Sequence, residues 1–143
     1  MPKRTAEARW EGSLPEGKGV MRMSSGGYEG PYSFQSRFQE GDGTNPEELI
    51  AAAHAGCFSM ALSADLGRAG YTVAHVETQA TVHLDVGDDG ASISGIELNS
   101  RARVADIDDG TFQEIAGQAK QNCPVSKALA AVPTINLRAE LVD

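Results

Sequence analysis

The sequence predicts an α+β fold in which a mainly antiparallel sheet accompanies a long central helix. Three observations carry this expectation. Short alternating runs separated by glycine turns fill the first forty residues, and a capped, alanine-rich segment follows from Thr44 to Leu62. Two further alternating runs, Tyr71–Val86 and Ile93–Val104, then flank the hairpin-type turn Gly87-Asp88-Asp89-Gly90.

Gly19–Ser24 alternates imperfectly and Tyr32–Phe38 cleanly, with Tyr32, Phe34 and Phe38 on one face and Arg37 interrupting or opposing it. The turn Ser25–Gly30 between them points to a hairpin or meander. In the helical segment Thr44 or Asn45 can cap, Pro46 suits the first turn, and Glu47 and Glu48 complement the positive end of the dipole. Gly67 and Gly70 end it. Leu49, Ala53, Gly56, Cys57, Met60 and Ala64 recur at helical steps, so this stripe is expected to face the core with Cys57 largely buried. After Asp106 the pattern turns helical again: Asp108 or Thr111 can cap a segment carrying Phe112, Ile115, Ala116 and Ala119. Asn122–Lys127 interrupts it, and Thr134–Leu141 closes the chain as a strand. The order ββ(β)–α–ββ–αα–β is that of an α+β arrangement.

A length of 143 residues predicts one domain spanning 1–143. The formal net charge of -8 disfavours nucleic acid and anionic membrane surfaces as partners, and no basic patch offsets it. No apolar run long enough for a signal peptide or a membrane span follows the polar start Met1–Glu7, which predicts a cytoplasmic protein. In that reducing compartment the two cysteines read as free thiols, ligands or catalysts rather than a permanent disulfide.

Cys123 precedes Pro124, so it occupies a helix cap where amide donors favour thiolate over thiol. By local context it is the more acidic cysteine. Cys57, among Ala and Gly, has no cation nearby in sequence and reads equally well as a small buried hydrophobe. His54, His75 and His83 invite a zinc-site reading, but they fall in different elements and match no finger spacing, so packing or surface roles are expected. His54 and Cys57, one turn apart, also resemble a nucleophile–base pair, with no third residue to orient them.

The segment Gly43–Phe58, Gly-Thr-Asn-Pro-Glu-Glu-Leu-Ile-Ala-Ala-Ala-His-Ala-Gly-Cys-Phe, together with Asn122-Cys123-Pro124-Val125-Ser126, resembles the two signature regions of the OsmC/Ohr family of peroxide-resistance proteins. The similarity extends to Trp10-Glu11-Gly12 and covers nearly the whole chain. Arg37 favours the OsmC branch, because Ohr proteins draw their arginine from an earlier segment.

The resemblance implies an OsmC-like, intertwined homodimer and a cysteine-based peroxidase without cofactor or metal. It assigns Cys57 to attack the peroxide, Cys123 to resolve the sulfenic acid as a disulfide, Arg37 to hold the thiolate, and Glu47 to orient Arg37. The implied partners are an organic hydroperoxide and an external dithiol such as a dihydrolipoyl protein. Phe58 and Met60 beside Cys57 suggest walls that take an alkyl group. The same cysteines also fit a non-catalytic redox sensor or binding module, which would consume one peroxide per chain where an enzyme consumes many. Were Glu47 and Cys57 on one continuous helix, ten residues would separate them by roughly 15 Å. An antiparallel pair of such helices in a dimer would bring Arg37 and Glu47 of one subunit to Cys57 and Cys123 of the other.

Overall fold

The computed structural model describes residues 1–143, which form two compact units, Met1–Leu49 and Ile50–Asp143. The secondary structure is mixed α+β, as the sequence predicts, and strand pairing is mainly antiparallel.

In the first unit, β1 (Ala6–Glu11), β2 (Lys18–Met23) and β3 (Glu29–Tyr32) form an antiparallel meander. Trp10 of β1 and Tyr32 of β3 meet across it, with ring centroids 5.3 Å apart. The expected strand through Phe38 stops at Tyr32; Phe34–Phe38 is instead the short helix α1. The physical reason is a capping box: the Ser36 amide donates to Ser33 Oγ (3.1 Å) and the Ser33 amide to Ser36 Oγ (2.8 Å). Phe34 and Phe38 are four apart, a spacing that satisfies both the strand and the helix period, and in the helix their rings pack at 5.0 Å. Arg37 therefore projects from a helix, not a strand.

The loop that follows is fixed by Ser36, whose hydroxyl donates to the Thr44 carbonyl (2.7 Å), and by Asn45 Nδ2, which donates to the Ser36 carbonyl (2.8 Å). Gly43, at φ +106, passes so close to the Pro31 carbonyl that a Cβ would lie 2.6 Å from its oxygen. Asn45 Oδ1 then accepts from the Glu48 amide (2.8 Å) and starts α2 (Pro46–Arg68) as anticipated. Gly70, at φ +94, ends it in a Schellman arrangement, with Tyr71 N–H bonded to the Leu66 carbonyl and Gly70 N–H to that of Gly67.

In the second unit β4 (Val73–Gly87) and β5 (Gly90–Val104) form a long antiparallel hairpin across the expected Gly87–Gly90 turn. Helices α3 (Asp109–Asn122) and α4 (Pro124–Ala128) carry the chain back, so that β6 (Thr134–Leu141) adds parallel to β5. The α3 cap is Asp108, which accepts from the Thr111 amide (3.0 Å) and whose acidity these bonds increase.

The core of this unit lies between α2, the β5 face carrying Ile96, Leu98 and Ala102, and α3 with Phe112, Ala116 and Ala119. The α2 residues in it are Phe58, Leu62 and Leu66, with His54 buried one turn earlier. This corrects the expected stripe: Ala53, Gly56, Met60 and Ala64 are exposed, and Cys57 is half-buried rather than largely buried. The helix is apolar on two faces, and its larger side chains at four-residue steps take the core. For the same reason α2 is, by length and composition, apolar enough to cross a membrane, contrary to the expectation that no such run is present. Leu62 is fully buried, so Leu62→Ala is expected to lower the unfolding free energy of the reduced protein by about 2–5 kcal/mol, measured by urea denaturation.

Candidate active site

Cys123 sits at the junction of two helices, as C-cap of α3 and N-cap of α4, and is 0% exposed. Its sulfur lies 2.9 Å from that of Cys57 on α2, and both thiols are free. Residues 66 positions apart in sequence are thus placed within reach of a disulfide. Burial alone pushes the Cys123 thiol up, but it is outweighed by the polar groups around it, Cys57 first and then Ser126 and the Val125 amide, whose influence leaves it more acidic than an ordinary cysteine. Burial, first, and the proton shared with Cys123 push Cys57 the other way. Of the two thiols Cys123 is therefore the more acidic and Cys57 the less acidic. The local ranking read from the cap position holds, although Cys123 Sγ makes no full cap hydrogen bond to the first amides of α4.

Arg37 and Glu47 form the second pair. Arg37 Nη2 donates to Glu47 Oε1 at 2.7 Å and Nε to both carboxylate oxygens at 3.2 Å. Glu47 is buried, and this fork gives its charge a matched partner, so one residue at the start of α2 serves both as dipole complement and as anchor. Arg37 Nη1 is left outside the pair. The guanidinium also lies over the Phe38 ring, 5.2 Å from its centroid. Beside it, within the first unit, is a cavity of about 420 Å³ lined by Trp10, Leu14, Tyr32, Phe34, Phe38 and Arg37.

The alkyl-binding wall expected from Phe58 and Met60 is not formed by them. Phe58 is fully buried in the core, and Met60 is 76% exposed. Phe58, next to Cys57 in the helix, points about 100° away from it into the core, whereas Met60, three residues on, lies about 60° from it on the exposed side.

His54 takes a packing role, one of the two expected of the histidines. It does not pair with Cys57; its Nε2 lies 2.7 Å from Ser126 Oγ, and both residues are buried. Its Nδ1 is buried without a partner. His75 and His83 are exposed on β4, the latter 3.1 Å from Glu97 Oε2, so the three histidines do not converge. Ser126 was given no role from sequence, although its position three residues after a capping Cys is the spacing at which a side chain reaches back to the cap.

The fold and the site together define an α+β protein whose redox-capable thiol pair joins a long helix to a Cys-Pro helix start. Residues 39–138 match the family model described as OsmC-like protein, and the chain belongs to the OsmC/Ohr family. Over 131 residues it is 49% identical to peroxiredoxin OsmC of Escherichia coli, covering 91% of this chain and 92% of that protein. The crystal structure of the organic hydroperoxide resistance protein OhrB of Bacillus subtilis superposes with a TM-score of 0.66 at 25% identity, over 96% of this chain and 98% of that one. An OsmC-like protein from Mycoplasma pneumoniae shares the fold at a TM-score of 0.76 and 16% identity, covering 99% of each chain.

Proposed function

We propose that the chain, acting as one functional domain over 1–143, is a cysteine-based peroxidase that reduces organic hydroperoxides in oxidative-stress defence. The observation that carries this is the pair of free thiols 2.9 Å apart, one of them more acidic than an ordinary cysteine, in a chain similar over 91% of its length to a peroxiredoxin. The Cys57 thiolate attacks the terminal peroxide oxygen: an S–O bond forms, the O–O bond breaks, and the alkoxide leaves and takes up a proton. The Cys123 thiolate then attacks the sulfenic sulfur, forming the disulfide and expelling hydroxide, which is protonated to water. An external dithiol, of the dihydrolipoyl type, returns the pair to the reduced state by exchange. The compartment that suits this cycle is the reducing cytoplasm.

Cys57 by itself is a weak nucleophile, because its surroundings favour the thiol. Arg37, held in place by Glu47, supplies the missing positive charge, and its free Nη1 polarises the leaving oxygen. Because α2 is unbroken from Pro46 to Arg68, helix geometry sets Glu47 and Cys57 about 15 Å apart along one axis. The reading is therefore an intertwined homodimer with Arg37 and Glu47 of one protomer serving the cysteines of its partner. The exposed face Ala53, Gly56, Met60 and Ala64 supports this, since small residues let two helices approach and Gly56 has open space beside it.

The aromatic cavity beside Arg37 gives the alkyl group its site. Each CH₂ removed from water contributes about 0.8 kcal/mol, so tert-butyl or cumene hydroperoxide is expected to give a kcat/KM about tenfold or more above that of hydrogen peroxide. The assay is steady-state peroxide consumption with dihydrolipoamide as reductant. Equal efficiencies would argue against the cavity as the alkyl site, and one peroxide consumed per chain would favour the sensor over the enzyme.

A further inference from the structure

Asn45 is a residue that the peroxide chemistry leaves unused, and its side chain ties two helix ends together within the first unit. Its Oδ1 accepts from the Glu48 amide at 2.8 Å and its backbone carbonyl from the Leu49 amide at 3.2 Å, which makes Asn45 the N-cap of α2. Its Nδ2 donates to the Ser36 carbonyl at 2.8 Å. In a longer helix that carbonyl would accept from the Glu40 amide, but α1 ends at Phe38 with Gln39 as its cap, so the Asn45 amide takes the missing place.

The two neighbours fix the orientation of that amide. The Glu48 N–H needs an acceptor and the Ser36 carbonyl a donor, so a reversed amide would set donor against donor and acceptor against acceptor. Asp and Ser cap helices as well as Asn does, yet only the amide carries an acceptor and a donor on separate atoms. A cap on α2 alone would not call for it. The second bond matters for position, because Ser36 directly precedes Arg37 and Glu47 follows Asn45 on the first turn of α2. The amide therefore joins the two segments immediately behind the two ends of the Arg37–Glu47 fork. Ser36 adds its hydroxyl on the Thr44 carbonyl at 2.7 Å, and both residues are buried. Residues 39–43 between them are exposed, and the ties at the ends of that loop set the spacing of the segments.

We propose that Asn45 is a positioning residue for Arg37: by capping α2 and closing the end of α1 with one amide, it holds the guanidinium on Glu47 with Nη1 turned free. Asn45 touches neither peroxide nor sulfur and moves no proton; it acts through Arg37. The proposal rests on the reading of Arg37 as the cation that serves the Cys57 thiolate. Without the Asn45 donor, α1 keeps the Ser36 hydroxyl on this segment besides the fork itself, and the Arg37 side chain regains rotamer freedom that works against the fork.

Asn45→Ser and Asn45→Asp test this, because both keep an oxygen to cap α2 and both give up the amide donor to Ser36. The first arm is urea unfolding at fixed protein concentration. Arg37→Ala strands the buried Glu47 charge in the parent chain; in an Asn45→Ser background, where the fork is already loose, the midpoint shift that Arg37→Ala causes is expected to shrink about twofold or more. The second arm reads the cation at Cys57. In a Cys123→Ser chain Cys57 is the single cysteine, so ultraviolet thiolate absorbance titrates it alone, and Asn45→Ser should move its midpoint upward by about one pH unit. Asn45→Asp, which sets a carboxylate against the Ser36 carbonyl, should move it at least as far. With both cysteines present, kcat/KM for cumene hydroperoxide should fall about tenfold in step. Equal Arg37→Ala shifts in the two backgrounds, or a thiolate midpoint that Asn45→Ser leaves in place, would overturn the proposal. So would an equal midpoint shift in Leu62→Ala, since the change would then report lost stability. If the parent consumes no hydroperoxide, the peroxidase reading fails instead, and the unfolding and absorbance arms still decide the role of Asn45.

Discussion

Replacing Cys57 by Ser is expected to cut the reaction with an alkyl hydroperoxide by about a thousandfold or more, whereas Cys123→Ser should react once and stop as a sulfenic acid. A serine hydroxyl is not ionised at neutral pH and cannot attack the O–O bond. The test discriminates because the local electrostatics point the other way: Cys123 carries the more acidic thiol and Cys57 the less acidic one. Acidity alone does not assign the nucleophile, since Cys123 is fully buried and Cys57 is the more accessible of the two. A resolving thiol also benefits from being ionised, because its attack on sulfenic acid proceeds through the thiolate. Mass spectrometry after one equivalent of peroxide, with a sulfenic-acid trap present, reads both variants. A trapped adduct on Cys123 in the Cys57→Ser protein, with none on Cys57 in the Cys123→Ser protein, would exchange the two roles.

How much of this was legible before the structure differs by the kind of signal involved. The long helix, the Gly87–Gly90 hairpin and the Asp108 cap are written in local chemistry, with cap, proline and glycine signals a few residues from the groups they satisfy. Helix α1 is not distinguishable in the sequence because Phe34 and Phe38 stand four apart, where a strand and a helix give the same pattern, and only the reciprocal Ser33–Ser36 bonds decide between them. On α2 the period was read correctly and the face wrongly. Alanines and glycines mark an apolar surface without saying whether it meets the chain's own core, and the bulkier Phe58, Leu62 and Leu66 take that side. The juxtaposition of Cys57 and Cys123 joins residues 66 positions apart, and nothing local encodes it; the expectation came from the family resemblance. The His54–Ser126 contact, 72 positions apart, had no such guide.

Mixing an inactive Arg37→Ala protein with an inactive Cys57→Ser protein is expected to restore about a quarter of the parental activity once subunits have exchanged. An equal mixture gives heterodimers as half of all dimers, and in each of these one site joins the intact Arg37 of one protomer to the intact Cys57 of its partner. The other site carries both substitutions and is dead. The expectation rests on the unbroken α2, which sets Glu47 about two and three-quarter turns from Cys57, and on the tight Arg37–Glu47 fork, which keeps the guanidinium with Glu47. It rests equally on the exposed small-residue face of the same helix, which offers a twofold-related copy a close approach at Gly56. Enlarging that face gives a second reading: Gly56→Leu should shift the protein toward monomer in analytical ultracentrifugation and lower activity in parallel, because the sites need both chains. If differently tagged subunits co-purify after mixing while activity stays at background, each protomer must assemble its own site and the shared arrangement is wrong.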